Sequence, residues 1–185
     1  MAKIAVMLAD GFEEIEGLTV VDVCRRCRID TVMVSIKDTL QVVSSHKIPV
    51  TADVTLSDVD FDTVDMIVLP GGLVGTQNLE ACSLLMEKVD EFYKNGKYLA
   101  AICAAPSIFG HRGILKGREA CSYPSFESHL EGATVLQKPC CVDGKVITGR
   151  GMGVSTEFAL KIAEVFVGRE TTDEVANGVI YTRYE

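Results

Sequence analysis

The chain has 185 residues, 48% hydrophobic and 24% charged, and its 18 basic against 26 acidic residues give a formal charge of −8. This apolar content excludes a disordered chain, the length predicts one compact domain over 1–185, and the acidic balance supplies no cationic footprint for nucleic acid or an anionic membrane surface. Seven cysteines in a chain of this size read as reduced thiols in the cytoplasm rather than as a disulfide scaffold.

Residues 3–8 form a continuous apolar run of the kind buried on both faces of a sheet. The run is too short for a membrane span or a signal peptide, and Asp10, Glu13 and Glu14 follow at once. Asp10-Gly-Phe-Glu13 reads as a turn with a helix cap and a carboxylate three residues on. Ile15, Leu18 and Val21 then recur at helical spacing, up to residue 28. A β-branched run predicts a second strand over 31–36. Residues 40–54 alternate and contain Pro49, which predicts short extended pieces, a hairpin at a sheet edge. A third buried strand over 65–69 is closed by Pro70-Gly71-Gly72, and a helix over 82–94 ends at Asn95-Gly96. Strand 98–102 carries Cys103 at its end, and Ala104-Ala-Pro106 opens a helix that stops near Gly113. Shorter strands are predicted over 120–123, 133–136, 140–142 and 145–148, the last two joined by the hairpin turn Asp143-Gly144. A glycine-rich connector, 149–153, leads into a helix over 155–167, and a last helical stretch covers about 172–179. Strands alternating with helices predict an α/β three-layer sandwich, a mostly parallel sheet with helices on both faces.

In such a sheet, ligands bind beyond the carboxyl ends of the strands. Those ends carry Asp10 to Glu16, Pro70-Gly71-Gly72 and Cys103, which converge on one rim if the three strands are parallel neighbours. Cys103 sits at a strand-to-helix elbow, where a thiol near a helix N-terminus is expected to have a lowered pKa. The other reading of Cys103 is a small buried hydrophobe among alanines. Glu13 and Glu14 are explained by the helix macrodipole. Glu16, between Ile15 and Leu18, is a candidate buried carboxyl. Beside a thiolate it would be pushed toward its protonated form and serve as general acid or base. Gly71 and Gly72 read either as a tight turn or, with the N–H after Cys103, as oxyanion donors. Residues 149–153 lack the spacing of a nucleotide-binding loop. Cys24-Arg-Arg-Cys27 falls inside a predicted helix, and His46, His111 and His129 form no ligand pattern, so no metal is expected.

Gly11-Phe-Glu-Glu-Ile-Glu16, Leu69-Pro-Gly-Gly72, Ala101-Ile-Cys-Ala-Ala-Pro106 and Thr148-Gly-Arg-Gly-Met-Gly153, in this order, resemble the ThiJ/PfpI superfamily. The branch most similar is that of the parkinsonism-associated protein deglycase and the bacterial YajL-type proteins. The likeness runs nearly end to end, including the tail Tyr181-Thr-Arg-Tyr-Glu185. It implies a flavodoxin-like fold, a homodimer, a reactive Cys103 with Glu16 as its carboxyl partner, and oxyanion donors at Gly72 and Ala104. Tyr123 stands where many members have His, which removes an imidazole base and weakens a peptidase reading; Tyr123 is then a hydrogen-bond donor to substrate or sulfur, with Arg150 a further accessory residue. His46 matches a region that in family dimers approaches the partner's site.

The resemblance implies a cofactor-independent cysteine enzyme that converts small reactive aldehydes such as methylglyoxal and glyoxal, or early glycated protein groups, to 2-hydroxy acids in stress protection. The rival expectation is a redox-sensing chaperone using the same thiol without turnover. A cysteine peptidase comes third.

Overall fold

The structure is a computed structural model describing residues 2–183; Tyr184 and Glu185 of the tail lie outside the described residues. In chain order the elements are β1 (Lys3–Leu8), α1 (Glu14–Arg26), β2 (Asp30–Ser35), β3 (Gln41–Val43), β4 (Pro49–Thr51), β5 (Val54–Thr55), β6 (Met66–Leu69), α2 (Leu73–Ala81) and α3 (Ser83–Lys94). There follow β7 (Tyr98–Ile102), α4 (Pro106–His111), β8 (Glu119–Ala120), β9 (Thr134–Val135), β10 (Cys140–Asp143), β11 (Val146–Gly149) and α5 (Ser155–Gly178).

The main sheet has the order β10-β11-β7-β6-β1-β2-β5. Every neighbouring pair in it is parallel except β10–β11, the hairpin expected at Asp143-Gly144. Along β1, Ala5 and Met7 face one buried cluster while Ile4, Val6 and Leu8 face the other. The same alternation divides Ile67 and Leu69 from Met66 and Val68 in β6, and Leu99 and Ala101 from Ala100 and Ile102 in β7. Successive side chains of a strand point to opposite faces, so an unbroken apolar run is what a strand covered on both sides requires. Leu85, Val89 and Phe92 of α3 and Ile108 and Phe109 of α4 cover the first face. Val20 and Cys24 of α1 and Phe158 and Ile162 of α5 cover the second. An α/β sandwich results, as the pattern predicts.

Several local expectations need correction. The hairpin of residues 40–54 is real, but β3 and β4 form a separate two-stranded sheet, and the edge of the main sheet is β5. Residues 120–123 and 133–136 shorten to β8 and β9, which pair with each other in parallel outside the main sheet. A helix that the pattern did not announce, α2, starts directly after Gly72, which serves as its N-cap at φ 88°. Glycine adopts that conformation without the Cβ penalty. Asp10 is not a helix cap: its carboxylate accepts from Val43 N–H at 2.9 Å and from Lys37 Nζ at 2.8 Å, fastening the β1–α1 turn to the β3 hairpin. Within α5, Gly168 leaves helical geometry at φ 79°, ψ 170°, which divides it into the two helical stretches expected. Arg183 fastens the segment after α5 to it, donating to Asp173 Oδ1 at 2.7 Å and Thr172 Oγ1 at 2.6 Å.

Phe158 is wholly buried in the layer between α5 and the sheet. Phe158→Ala is expected to lower unfolding stability by about 3–5 kcal/mol, read as a shift in the urea midpoint with the slope unchanged.

Candidate functional site

Strands β1, β6 and β7 are parallel neighbours, so the three chemistry-bearing segments at their carboxyl ends converge as anticipated. Cys103 follows β7 at φ 65°, a left-handed backbone that costs a non-glycine residue about 1–3 kcal/mol. Two backbone hydrogen bonds hold it there: Cys103 N–H donates to Gly149 O at 3.0 Å, and Tyr123 N–H donates to Cys103 O at 2.9 Å. The half-buried thiol is thereby turned back over the end of β6.

Glu16 approaches from the first turn of α1 and is 0% exposed. The start of α1 is tied to the β6 loop by Glu13 N–H donating to Gly71 O at 2.9 Å. In return Gly71 N–H donates to Glu16 Oε2 at 2.9 Å. Glu16 Oε1 is buried without a hydrogen-bond donor, and the carboxyl lies against the Cys103 thiol. Gly71 is the floor between them: a Cβ there would fall 2.6 Å from Glu16 Oε2 and 2.7 Å from Cys103 Cβ. The N–H groups of Gly72 and Ala104 both point at the sulfur. Gly71 does not join them as an oxyanion donor, because its N–H is committed to Glu16.

Burial pushes the Glu16 carboxyl up to about 7, against the opposing hydrogen bonds from Cys103 and Gly71. The expected lowering of the Cys103 thiol is not found. Burial first, then the charge and hydrogen bond of Glu16, push it up to about 12, while the Gly72 and Ala104 N–H groups pull only weakly the other way. The helix invoked to lower it is short and begins only at Pro106. Two interacting groups titrate as a pair. This pair gives up its first proton near neutrality, and sulfur becomes anionic when its own proton resides on Glu16.

The accessory candidates land differently. Tyr123 reaches Cys103 through its backbone, and its side chain is exposed at the mouth of a recess of about 400 Å³ lined also by Pro124, Arg150 and Met152. Arg150 faces Glu127 at 3.5 Å rather than the thiol. His46 is not brought to Cys103 within this chain; its Nδ1 meets Glu14 Oε1 at 2.6 Å. His129 is engaged by His111 Nε2 at 3.0 Å, and His111 in turn by Glu80, so no imidazole stands beside the sulfur among the described residues. Sequence reasoning missed the grouping of Glu13, Glu14 and His46, whose ligand atoms lie within 4.8 Å of one another around the Ser45 hydroxyl. The macrodipole reading of the two glutamates is therefore incomplete. Glu14 is buried, and only the fold of the β3 hairpin onto α1 brings the imidazole to it. These three side chains are the donors in the site region able to hold a cation.

A carboxyl held above its ordinary value makes stability depend on pH with a defined sign. Between about 4.5 and 7 the folded chain retains a Glu16 proton that the unfolded chain has lost, so stability falls as pH rises through that window, by about 3 kcal/mol in all. Glu16→Gln is expected to remove that fall, so that wild-type and variant stability curves, measured by urea unfolding, diverge across it.

Known proteins match the chain in sequence and in fold. The model of the DJ-1/PfpI family matches residues 2–165. The chain is 38% identical over 183 residues to protein dj-1beta of Drosophila melanogaster, covering 97% of this chain and 98% of that one. It is 34% identical over 164 residues to glutathione-independent glyoxalase DJR-1.2 of Caenorhabditis elegans, covering 88% of this chain and 87% of that one. Protein DJ-1 homolog B of Arabidopsis thaliana is 38% identical over 169 residues, 91% of this chain but 39% of that one; against this relative and homolog A of the same plant, the chain spans less than half their length. Among solved structures, oxidised DJ-1 of Toxoplasma gondii superposes with a TM-score of 0.94 at 32% identity, covering 99% of this chain and 100% of that one. With the family model matched over residues 2–165 and the likeness to dj-1beta running along nearly the whole of both chains, the chain belongs to the DJ-1/PfpI family.

Proposed function

We propose that this chain is a cofactor-independent cysteine enzyme converting 2-oxoaldehydes such as methylglyoxal and glyoxal, or their early adducts on protein groups, to 2-hydroxy acids, and that it works as a cytoplasmic homodimer. The observation that carries this reading is the contact between the Cys103 thiol and a Glu16 carboxyl poised near neutrality. The name of the Caenorhabditis elegans relative supports it. Cys103 Sγ attacks the aldehyde carbon as its proton passes to Glu16, forming a C–S bond and a hemithioacetal. The Gly72 and Ala104 N–H groups donate to the developing oxyanion. Glu16 passes the thiol proton on to that oxyanion and, free again as a carboxylate, removes the proton from the former aldehyde carbon and returns it to the neighbouring carbonyl carbon, while the hydroxyl proton moves to the carbonyl oxygen. The product of that transfer is a 2-hydroxy thioester. Water cleaves the C–S bond, releases the 2-hydroxy acid and restores the thiol. One substrate and one water give one product with no net oxidation, so the sequence of steps requires no nucleotide or metal.

One observation favours a second reading, a redox-regulated chaperone. The Gly72 and Ala104 N–H groups and a protonated Glu16 carboxyl surround the sulfur with donors that suit an oxidised cysteine as well as an oxyanion. A peptidase lacks the base it needs, since His46, His111 and His129 are all engaged elsewhere.

Wild-type protein is expected to form lactate steadily from methylglyoxal, Cys103→Ser to abolish turnover, and Glu16→Gln to lower kcat by about 10²–10⁴-fold. Lactate formation by Cys103→Ser at the wild-type rate would overturn the mechanism. Negligible wild-type turnover with a peroxide-dependent gain in holdase activity would establish the chaperone reading instead.

A further inference from the structure

Away from Cys103, the fold brings two other thiols onto one threonine. Cys121 directly follows β8 and is wholly buried, and Cys141 lies in β10 and is 5% exposed. Cys121 is fixed on Thr148: its N–H donates to Thr148 Oγ1 at 3.0 Å, and its Sγ lies 3.3 Å from Thr148 O and 3.7 Å from Thr148 Oγ1. Thr148 is the cross-strand partner of Cys141 in the β10–β11 hairpin. Directly opposed residues in an antiparallel pair project from the same face, with Cβ atoms about 4.5–5.5 Å apart. Both sulfurs therefore meet over the Thr148 side chain, and they interact directly, Cys121 keeping its proton and Cys141 being the easier of the two to ionise.

Adjacent Cys140 does not compete. Strand alternation sends it to the opposite face, where it packs in the layer of α5 and feels Glu157 and Lys161. The position of β10 as the outermost strand of the main sheet places Cys141 at the sheet's rim.

We propose that Cys121 and Cys141 form a second redox centre, a dithiol that a hydroperoxide closes to a disulfide independently of Cys103. The Cys141 sulfur attacks one peroxide oxygen, the O–O bond breaks, and a sulfenic acid and one molecule of water (or alcohol) result. The Cys121 sulfur then attacks the sulfenic sulfur, the S–S bond forms, the S–O bond breaks, and a second water departs with the Cys121 proton. The peroxide gains the two electrons that the two thiols lose. The bridge ties β10 to the segment 121–123, whose Tyr123 N–H holds the Cys103 carbonyl. The state of this pair is thereby felt at the backbone of the nucleophile's elbow.

The test uses full-length Cys103→Ser protein, so that the site thiol contributes nothing. After graded hydrogen peroxide, the protein is unfolded, alkylated and mapped by mass spectrometry without reductant. The expected result is a linked Cys121–Cys141 peptide lighter by two hydrogens, a loss of two alkylatable thiols per chain, and their recovery with dithiothreitol. Adding Cys121→Ala is expected to abolish the link and leave Cys141 as a sulfenic or sulfinic acid; Cys141→Ala serves the same purpose if that variant does not fold. Retention of both thiols when the other surface-near cysteines are oxidised, or a bridge to Cys140 in place of Cys141, would overturn the proposal.

Discussion

A carboxyl group withdrawn from water keeps its proton unless something nearby stabilises the anion, and at Glu16 the stabilising partners are few by design of the backbone. One oxygen receives a single N–H, from Gly71, and the other receives none. That imbalance keeps the group near its midpoint at neutrality instead of locking it as a carboxylate. The remaining features of the site are arranged around this condition. The α1 start is bonded to the β6 loop so that Glu16 arrives from one side, and the strained elbow at Cys103 delivers sulfur from the other. Neither residue has a use for the geometry without its partner.

The sheet makes this arrangement rigid. Strands β1, β6 and β7 are sealed on both faces by separate apolar clusters, so their carboxyl ends are held at fixed spacing and the loops beyond them inherit that spacing. The left-handed conformation of Cys103 persists because β11 and the Tyr123 segment each bond its peptide, which offsets a local cost with contacts from distant parts of the chain. The same two neighbours carry Thr148 and Cys121, so nucleophile and dithiol share a common support.

Much of this was legible in the sequence because it is written in local pattern. Unbroken apolar runs at 3–8, 65–69 and 98–102 announced strands covered on both faces, and the residues just beyond them announced the rim. Glu16 and Cys103 were identifiable from their place at those ends together with the family likeness. What was not legible depends on contacts between distant segments. The ionisation of Cys103 is governed by burial and by Glu16, neither of which a loop-to-helix pattern expresses. The meeting of His46 with Glu14, and of Cys121 with Cys141, requires the hairpin and the sheet edge to be in place. Helix α2 escaped notice because it begins at a glycine cap and has no strong apolar stripe, while the strands predicted around 120 and 133 lack partners in the main sheet and shorten to a small pair of their own.

The space above Gly71 has a consequence reaching past this one molecule. It is already filled, on one side by the longest carboxyl side chain available and on the other by the methylene of a cysteine. A methyl group at 71 would press at once on Glu16 Oε2, Cys103 Cβ and the Ile102 carbonyl oxygen, so shortening residue 16 alone would not make room for it. Residue 71 is thus held to glycine for as long as Glu16, Cys103 and the end of β7 keep their places.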